Sequence, residues 1–370
     1  MPLFDRYVAV DWSANNTPKL GANSIWSSVA TTAAADALTQ NHSTRRQAEA
    51  FLLAQLRASV DAGERVLLGM DFPYGYPAGF AAALRLRGDA WRATWSYLSQ
   101  RILDDDENKS NRFEIASNIN ANLGVHAPFW GRPQNAMLPN LTSRKQVRYR
   151  GQDVLDGLPE WRGVEQILRA CGAAPQPVWK LCYAGSVGSQ TLVGIPVVDR
   201  LRNHDALRRV SRVWPFEVLV PDLPAGFAAV IHAEIWPSIV PFTHEDGSCT
   251  DERQVRAVTA KWRELDQHDH LTKWFAAPDN EAARSEEGWV LGVESSASAQ
   301  TFSRPGRPMS RSTTEHHTPR TPSSRKPLPA LERTPCLCGC GNYPRGKRSR
   351  FMPGHDQRIN HTTGRRFNEH

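Results

Sequence analysis

Blocks of apolar residues, each closed by a polar or turn-forming one, order the first third of the chain. Tyr7-Val8-Ala9-Val10-Asp11 is a short β-rich run ending in a carboxylate, and Ser24-Ile25-Trp26-Ser27-Ser28-Val29 predicts a second strand, with Asn15-Asn16-Thr17-Pro18 as the turn between them. A Thr/Ala-rich connection leads to Ser43-Thr44. Beyond it Ala48, Phe51, Leu52 and Leu56 fall at helical spacing, which predicts a capped amphipathic helix ending near Asp61 and stopped by Gly63. Val66-Leu67-Leu68-Gly69-Met70-Asp71 predicts a buried strand that again ends in Asp, followed by a turn at Phe72-Pro73-Tyr74-Gly75. The order strand, strand, helix, strand favours an α/β chain with a mixed sheet over an all-α or all-β one.

Residues 88–180 are less regular. Helical stretches are expected near 90–103, 111–122 and 163–171, around a loop Ala127-Pro128-Phe129-Trp130-Gly131-Arg132-Pro133 and a basic patch at Arg144, Lys145, Arg148 and Arg150. The segment reads as a large insertion that caps the sheet. Gly185-Ser186-Val187-Gly188-Ser189-Gln190 opens another helix, and Ala228 to Ile235 predicts a strand carrying Glu234 near its end, stopped by Trp236-Pro237-Ser238. A helix starting near Thr250-Asp251-Glu252, with Thr250 as N-cap, places Val255, Val258, Trp262 and Leu265 on one face. Gly288 to Val293 predicts a last short strand.

The pattern stops at Glu294. Residues 295–334 contain 14 Ser and Thr, 6 Pro and 7 Lys and Arg but only four large apolar residues, too few to offset the entropy of ordering, so a disordered linker is expected. Residues 335–370 have no core of their own. The whole chain, 370 residues and 40% apolar, has length for about two domains. Its formal charge of +7 is an average of two unlike parts: residues 1–294 carry 31 basic and 34 acidic side chains, a net of −3, and residues 295–370 carry 14 and 4, a net of +10. A uniformly basic nucleic-acid coat is thereby excluded, and a near-neutral domain at 1–294 with a cationic appendage remains. Cys171, Cys182 and Cys249 have no disulfide-framework spacing. The first residues hold Asp5 and Arg6 and no apolar signal region, and the longest uncharged stretch, Leu181 to Val198, is broken by three glycines and Pro196. The expectation is a cytoplasmic protein without membrane contact.

Three predicted strands carry one acid each at or near their ends, Asp11, Asp71 and Glu234, and Asp251 and Glu252 open a helix. Parallel strands share the edge at their C-terminal ends, so acids far apart in sequence can converge there. Converging carboxylates raise one another's pKa unless a cation neutralises them; Mg²⁺ or Mn²⁺ suits an oxygen-only site, where bound ions about 4 Å apart serve phosphodiester cleavage. Any one of these acids could instead only accept backbone hydrogen bonds at a turn or favour a helix N-terminus.

The motifs Val8-Ala9-Val10-Asp11-Trp12-Ser13, Gly69-Met70-Asp71-Phe72-Pro73, Ala233-Glu234-Ile235-Trp236-Pro237-Ser238 and the Asp251 helix, in that order, resemble an uncharacterised bacterial family of predicted RNase H-like nucleases. The stretch from Gln176 to Pro196 resembles a subgroup often labelled as molybdopterin-guanine dinucleotide or cobalamin biosynthesis proteins, although nothing in these residues points to those cofactors. The resemblance spans most of 1–294. It implies an RNase H-like fold with flanking helices, metal-dependent phosphodiester hydrolysis, and Asp11, Asp71, Glu234 and Asp251 as metal ligands and catalytic residues. One departure is the step Asp251-Glu252-Arg253-Gln254 where the family has an Asp-Ala-like one, which leaves both acids open as the inward-facing one. Two other readings stand beside it. Strand-end Asp residues also hold metal and ATP phosphates in actin-like sugar kinases, though the chain has neither a P-loop nor a Gly-x-Gly-x-x-Gly. An idle scaffold that binds nucleic acid or a protein partner is the other.

Cys336-x-Cys338-x-Cys340 and His355, around a basic run from Arg345 to Arg350, supply three thiolates and an imidazole within 20 residues. Tetrahedral zinc is their natural occupant, and the metal would fold a piece too small to fold alone. The segment resembles short Cys/His pieces attached to mobile-element endonucleases. Its seven Lys and Arg in 335–370 suit contact with a phosphate backbone.

Overall fold

A computed structural model describes residues 1–33, 37–147, 149–150, 157–183, 185–219, 221–242, 248–276 and 278–295. The linker at 295–334, apart from Ser295, and the Cys/His segment with Cys336, Cys338, Cys340 and His355 lie outside the described residues, as does Arg148. In chain order the elements are β1 (Arg6–Asp11), β2 (Ile25–Thr31), β3 (Leu38–His42), α1 (Arg45–Asp61), β4 (Arg65–Met70), α2 (Phe80–Ala83), α3 (Ala90–Ser99), α4 (Arg112–Leu123), α5 (Gly163–Ala170), α6 (Gly188–Asn203), β5 (Ser211–Val213), β6 (Ala229–Glu234) and α7 (Thr250–Gln267). The strands form one six-stranded sheet in the order β3-β2-β1-β4-β6-β5. β1–β2 and β2–β3 are antiparallel, and β1–β4, β4–β6 and β6–β5 are parallel. The chain is therefore α/β with a mixed sheet flanked by helices, as its pattern predicts.

Side-chain alternation splits the core between the two faces of the sheet. Val8 and Val10 of β1 and Val66, Leu68 and Met70 of β4 pack with α1 (Ala48, Leu52, Leu56), α3 (Trp91, Trp95, Leu98), α4 (Phe113, Ala116, Ile119) and α6. Tyr7 and Ala9, Leu67, and Ile231 and Ala233 pack on the other face with α5 (Val164, Leu168) and α7 (Val255, Val258, Trp262). The segment read as an insertion thus contributes α3 and α4 to one layer of the core and α5 to the other. α1 begins as expected, with Thr44 Oγ1 accepting the Gln47 N–H at 3.2 Å.

Three expectations are corrected. The connection before Ser43 contains β3, a polar edge strand whose Leu38, Thr39, Gln40 and Asn41 show no apolar alternation. Gly288 to Val293 makes one isolated parallel bridge, Glu234 to Val290, and not a strand. The N-cap of α7 is Cys249, without a side-chain bond, and not Thr250. α6 starts at Gly188 and runs through Gly194 and Pro196; a helix of that composition persists because nearly all of it is buried, so tertiary packing outweighs its propensity.

Candidate functional site

The parallel register sets Val10 level with Met70 and Met70 level with Glu234. Asp11 and Asp71 come one residue later on neighbouring strands, and the Asp71 N–H donates to the Val10 carbonyl at 2.9 Å. Continuing the alternation, Asp11 and Asp71 follow Ala9 and Gly69 toward the α7 face. Glu234 is level with Met70. Gly69 is required here, since a Cβ would collide with Ile235 and the Trp262 ring.

Neither the Asp11 nor the Asp71 carboxyl group has a hydrogen-bond or ion-pair partner among the described residues. Burial pushes the Asp71 carboxyl up to about 8, with repulsion from Glu234 and Asp251 adding to it. Burial likewise raises Asp11 well above the usual carboxylate range, reinforced by Asp71 and then by Asp251. Two buried acids side by side are groups whose ionisation a cation would favour.

Asp251, in the first turn of α7, accepts the Asn23 N–H at 2.5 Å and shares with Asp11 a polar cavity of about 380 Å³. Glu252 instead faces Arg256 at 3.9 Å. Of the two acids that the sequence leaves open, Asp251 is the inward one. Buried Arg45 fixes the loop that follows β1: its guanidinium pairs with Asp104 at 2.5 Å and donates to the carbonyls of Ser13 and Asn15. From the first turn of α6, Gln190 Nε2 donates to the Trp12 carbonyl at 2.5 Å. Gly188 permits this approach, because a Cβ there would collide with the Val178 and Lys180 carbonyls; the Gly185–Gly188 segment is a closely packed helix start.

Glu234 does not line that cavity, and neither does Asp71; the two share a smaller pocket with Arg162 and Glu165. The Glu234 carboxylate receives two bonds from the Arg162 guanidinium at 2.6 and 2.7 Å and the Tyr74 backbone N–H at 2.9 Å. Glu165 accepts both the Nε–H and the backbone N–H of Arg162, and the Glu287 carbonyl accepts a further bond. Burial opposes the Arg162 charge, but Glu165 and Glu234 outweigh it and hold the guanidinium firmly protonated. Glu234 therefore locks the turn after Asp71 to the start of α5. Sequence reading missed Arg162: its local partner Glu165 lies three residues on, but its bond to Glu234, 72 residues away, shows only in the fold.

His232 is fully buried, 3.3 Å from the Ser211 hydroxyl, and burial holds its pKa down to about 3. It is a neutral core side chain with no role at the acids. Cys171, Cys182 and Cys249 form no disulfide among the described residues.

No group of three or more His, Cys, Asp or Glu side chains placed to hold a metal ion occurs among the described residues. The donors that are present fit a smaller demand. Mg²⁺ is commonly held by one or two carboxylates and keeps several waters, and Asp11 and Asp71 are two oxygen donors without competing partners. Comparison with protein-family models, curated proteins and solved structures finds no match to this chain. No helix among the described residues is long and apolar enough to cross a membrane.

Proposed function

We propose that the chain is a divalent-metal-dependent hydrolase of phosphodiester bonds on an RNase H-like framework. The observation that carries the reading is the pair of unpartnered carboxylates, Asp11 and Asp71, at the shared edge of adjacent parallel strands. Asp11 and Asp71 would be the ligands for Mg²⁺ or Mn²⁺, with Asp251 facing the same site from α7. A bound ion there would supply neutralisation of the acids, activation of water and stabilisation of the leaving oxygen. Asp251 is held in place by the Asn23 amide. Glu234 is a positioning residue, fixing the Tyr74 backbone and so the turn that carries Asp71. The cavity between Asp11 and α6 receives the substrate.

The test is cleavage of single-stranded DNA, RNA and a hybrid with Mg²⁺ or Mn²⁺, comparing wild type with Asp11→Asn and Asp71→Asn. Wild type is expected to cleave at least one substrate and both variants to lose nearly all activity. Equal cleavage by the variants, or binding without cleavage by wild type on all three substrates, overturns the proposal.

A further inference from the structure

Five arginines are buried among the described residues: Arg45, Arg65, Arg112, Arg162 and Arg202. Four of them have a carboxylate partner, Arg45 with Asp104, Arg65 with Asp5, Arg162 with Glu165 and Glu234, and Arg202 with Glu217. Arg112 is the exception. Only 4% exposed, it hydrogen-bonds to neutral oxygens alone: its Nε donates to Ser189 Oγ at 3.0 Å and one terminal nitrogen donates to Ser110 Oγ at 2.7 Å and to Asn16 Oδ1. The Phe113 ring, 4.4 Å from the guanidinium carbon, gives it a neutral face to lie on and no counterion. Its other terminal nitrogen, Nη2, makes no hydrogen bond with the described residues. Burial and the neighbouring Arg45 lower its pKa to about 10, outweighing the pull of Asp104, Cys182 and Glu114.

A buried charge without a counterion is costly, and proteins pair such groups or neutralise them. Guanidinium does not give up its proton at neutral pH, so Arg112 calls for an anion from outside the chain. It lines the same cavity as Asp11 and Asp251, and a guanidinium fork suits the oxygens of phosphate. The cavity, about 380 Å³, lies at the small end of ligand pockets, roughly 300–1,000 Å³, and has room for one nucleotide unit but not for a duplex. The ring of Tyr183, 51% exposed, stands in its wall as a surface on which a base can stack.

We propose that Arg112 is the phosphate anchor of this cavity and that the ligand is a single nucleotide unit, free or at the end of a single strand. The nucleotide identity rests on the phosphodiester reading above; the anion site does not.

The full chain, in EDTA, is titrated calorimetrically with inorganic phosphate and with adenosine 5′-monophosphate, as wild type, Arg112→Gln and Arg112→Lys. The expected result is that the monophosphate binds wild type more tightly than phosphate does and Arg112→Gln at least tenfold more weakly, with Arg112→Lys between. Hydrogen exchange on wild type gives a measure that no variant can spoil by misfolding: the monophosphate should protect peptides covering 110–115 and 183–190. Undiminished binding by a folded Arg112→Gln, or protection confined to other segments, overturns the anchor. Equal affinity for phosphate and the monophosphate overturns the nucleotide assignment. Binding through Arg112 in a chain that cleaves nothing leaves the anchor standing while the hydrolase reading falls.

Discussion

A carboxyl that keeps its proton near neutral pH weakens the fold that holds it as soon as the proton is lost. Asp71 has an ordinary value of 3.8 and is pushed up to about 8 in the folded chain. The folded state therefore binds the proton more tightly than the unfolded one. Its contribution to stability is complete below about pH 4 and is lost as pH rises through about 8. Asp11 works in the same direction. In EDTA, Asp71→Asn is expected to melt higher than wild type at pH 8 and to match it near pH 4, a difference that thermal unfolding followed by circular dichroism reads directly. Mg²⁺ or Mn²⁺ should raise the wild-type melting temperature at pH 8 and leave that of Asp71→Asn unmoved. A pH-independent difference between the two proteins would remove the electrostatic account. Asp11 and Asp71 are legible in the sequence because each closes an apolar run, a strong local signal. Arg112 and Arg162 are not, since the meaning of either lies in what it meets in the folded chain: for Arg162 a carboxylate 72 residues away, for Arg112 a set of neutral oxygens that leaves its charge unbalanced.

The partner it meets decides the role of Glu234. Level with Met70, one register position before Asp71, it is bound by Arg162, and the pair ties β6 to the start of α5. Arg162→Ala would leave Glu165 and Glu234 buried without a counterion, and removal of one partner of such a group costs about 3–5 kcal/mol; urea unfolding should show a loss of that order. Glu234→Gln keeps the Arg162–Glu165 pair, so it is expected to cost less and to retain Mn²⁺ affinity, measured by calorimetry. Loss of Mn²⁺ binding in Glu234→Gln would return Glu234 to the ligand set. The sequence announces the acid and the strand but not the phase, because the apolar run of β6 is buried on both faces and shows no alternation to read. The same limit hides β3, whose polar residues suit an exposed sheet edge, and β5, three residues long. α6 is legible as a start and not as a whole, as Gly194 and Pro196 argue locally against a helix that the Phe72 ring, packed at Gly194, helps to hold.

Charge is distributed on the scale of the whole chain. Residues 1–294 are net −3 by formal count, while 295–370 are net +10. A polyanionic substrate, as proposed, would be attracted by the basic residues of 295–370. The two parts should then separate kinetically. Binding energy that does not change between ground and transition states lowers KM and leaves kcat alone. Deleting 335–370 removes seven Lys and Arg, and every phosphate that is no longer neutralised makes the slope of log affinity against log salt shallower by about 0.7–0.9. The expected outcome for a single-stranded substrate is a higher KM at low salt, a shallower salt dependence and an unchanged kcat. A fall in kcat equal to the fall in kcat/KM would place residues of the segment at the reacting phosphate and overturn the proposed division of labour between the two parts.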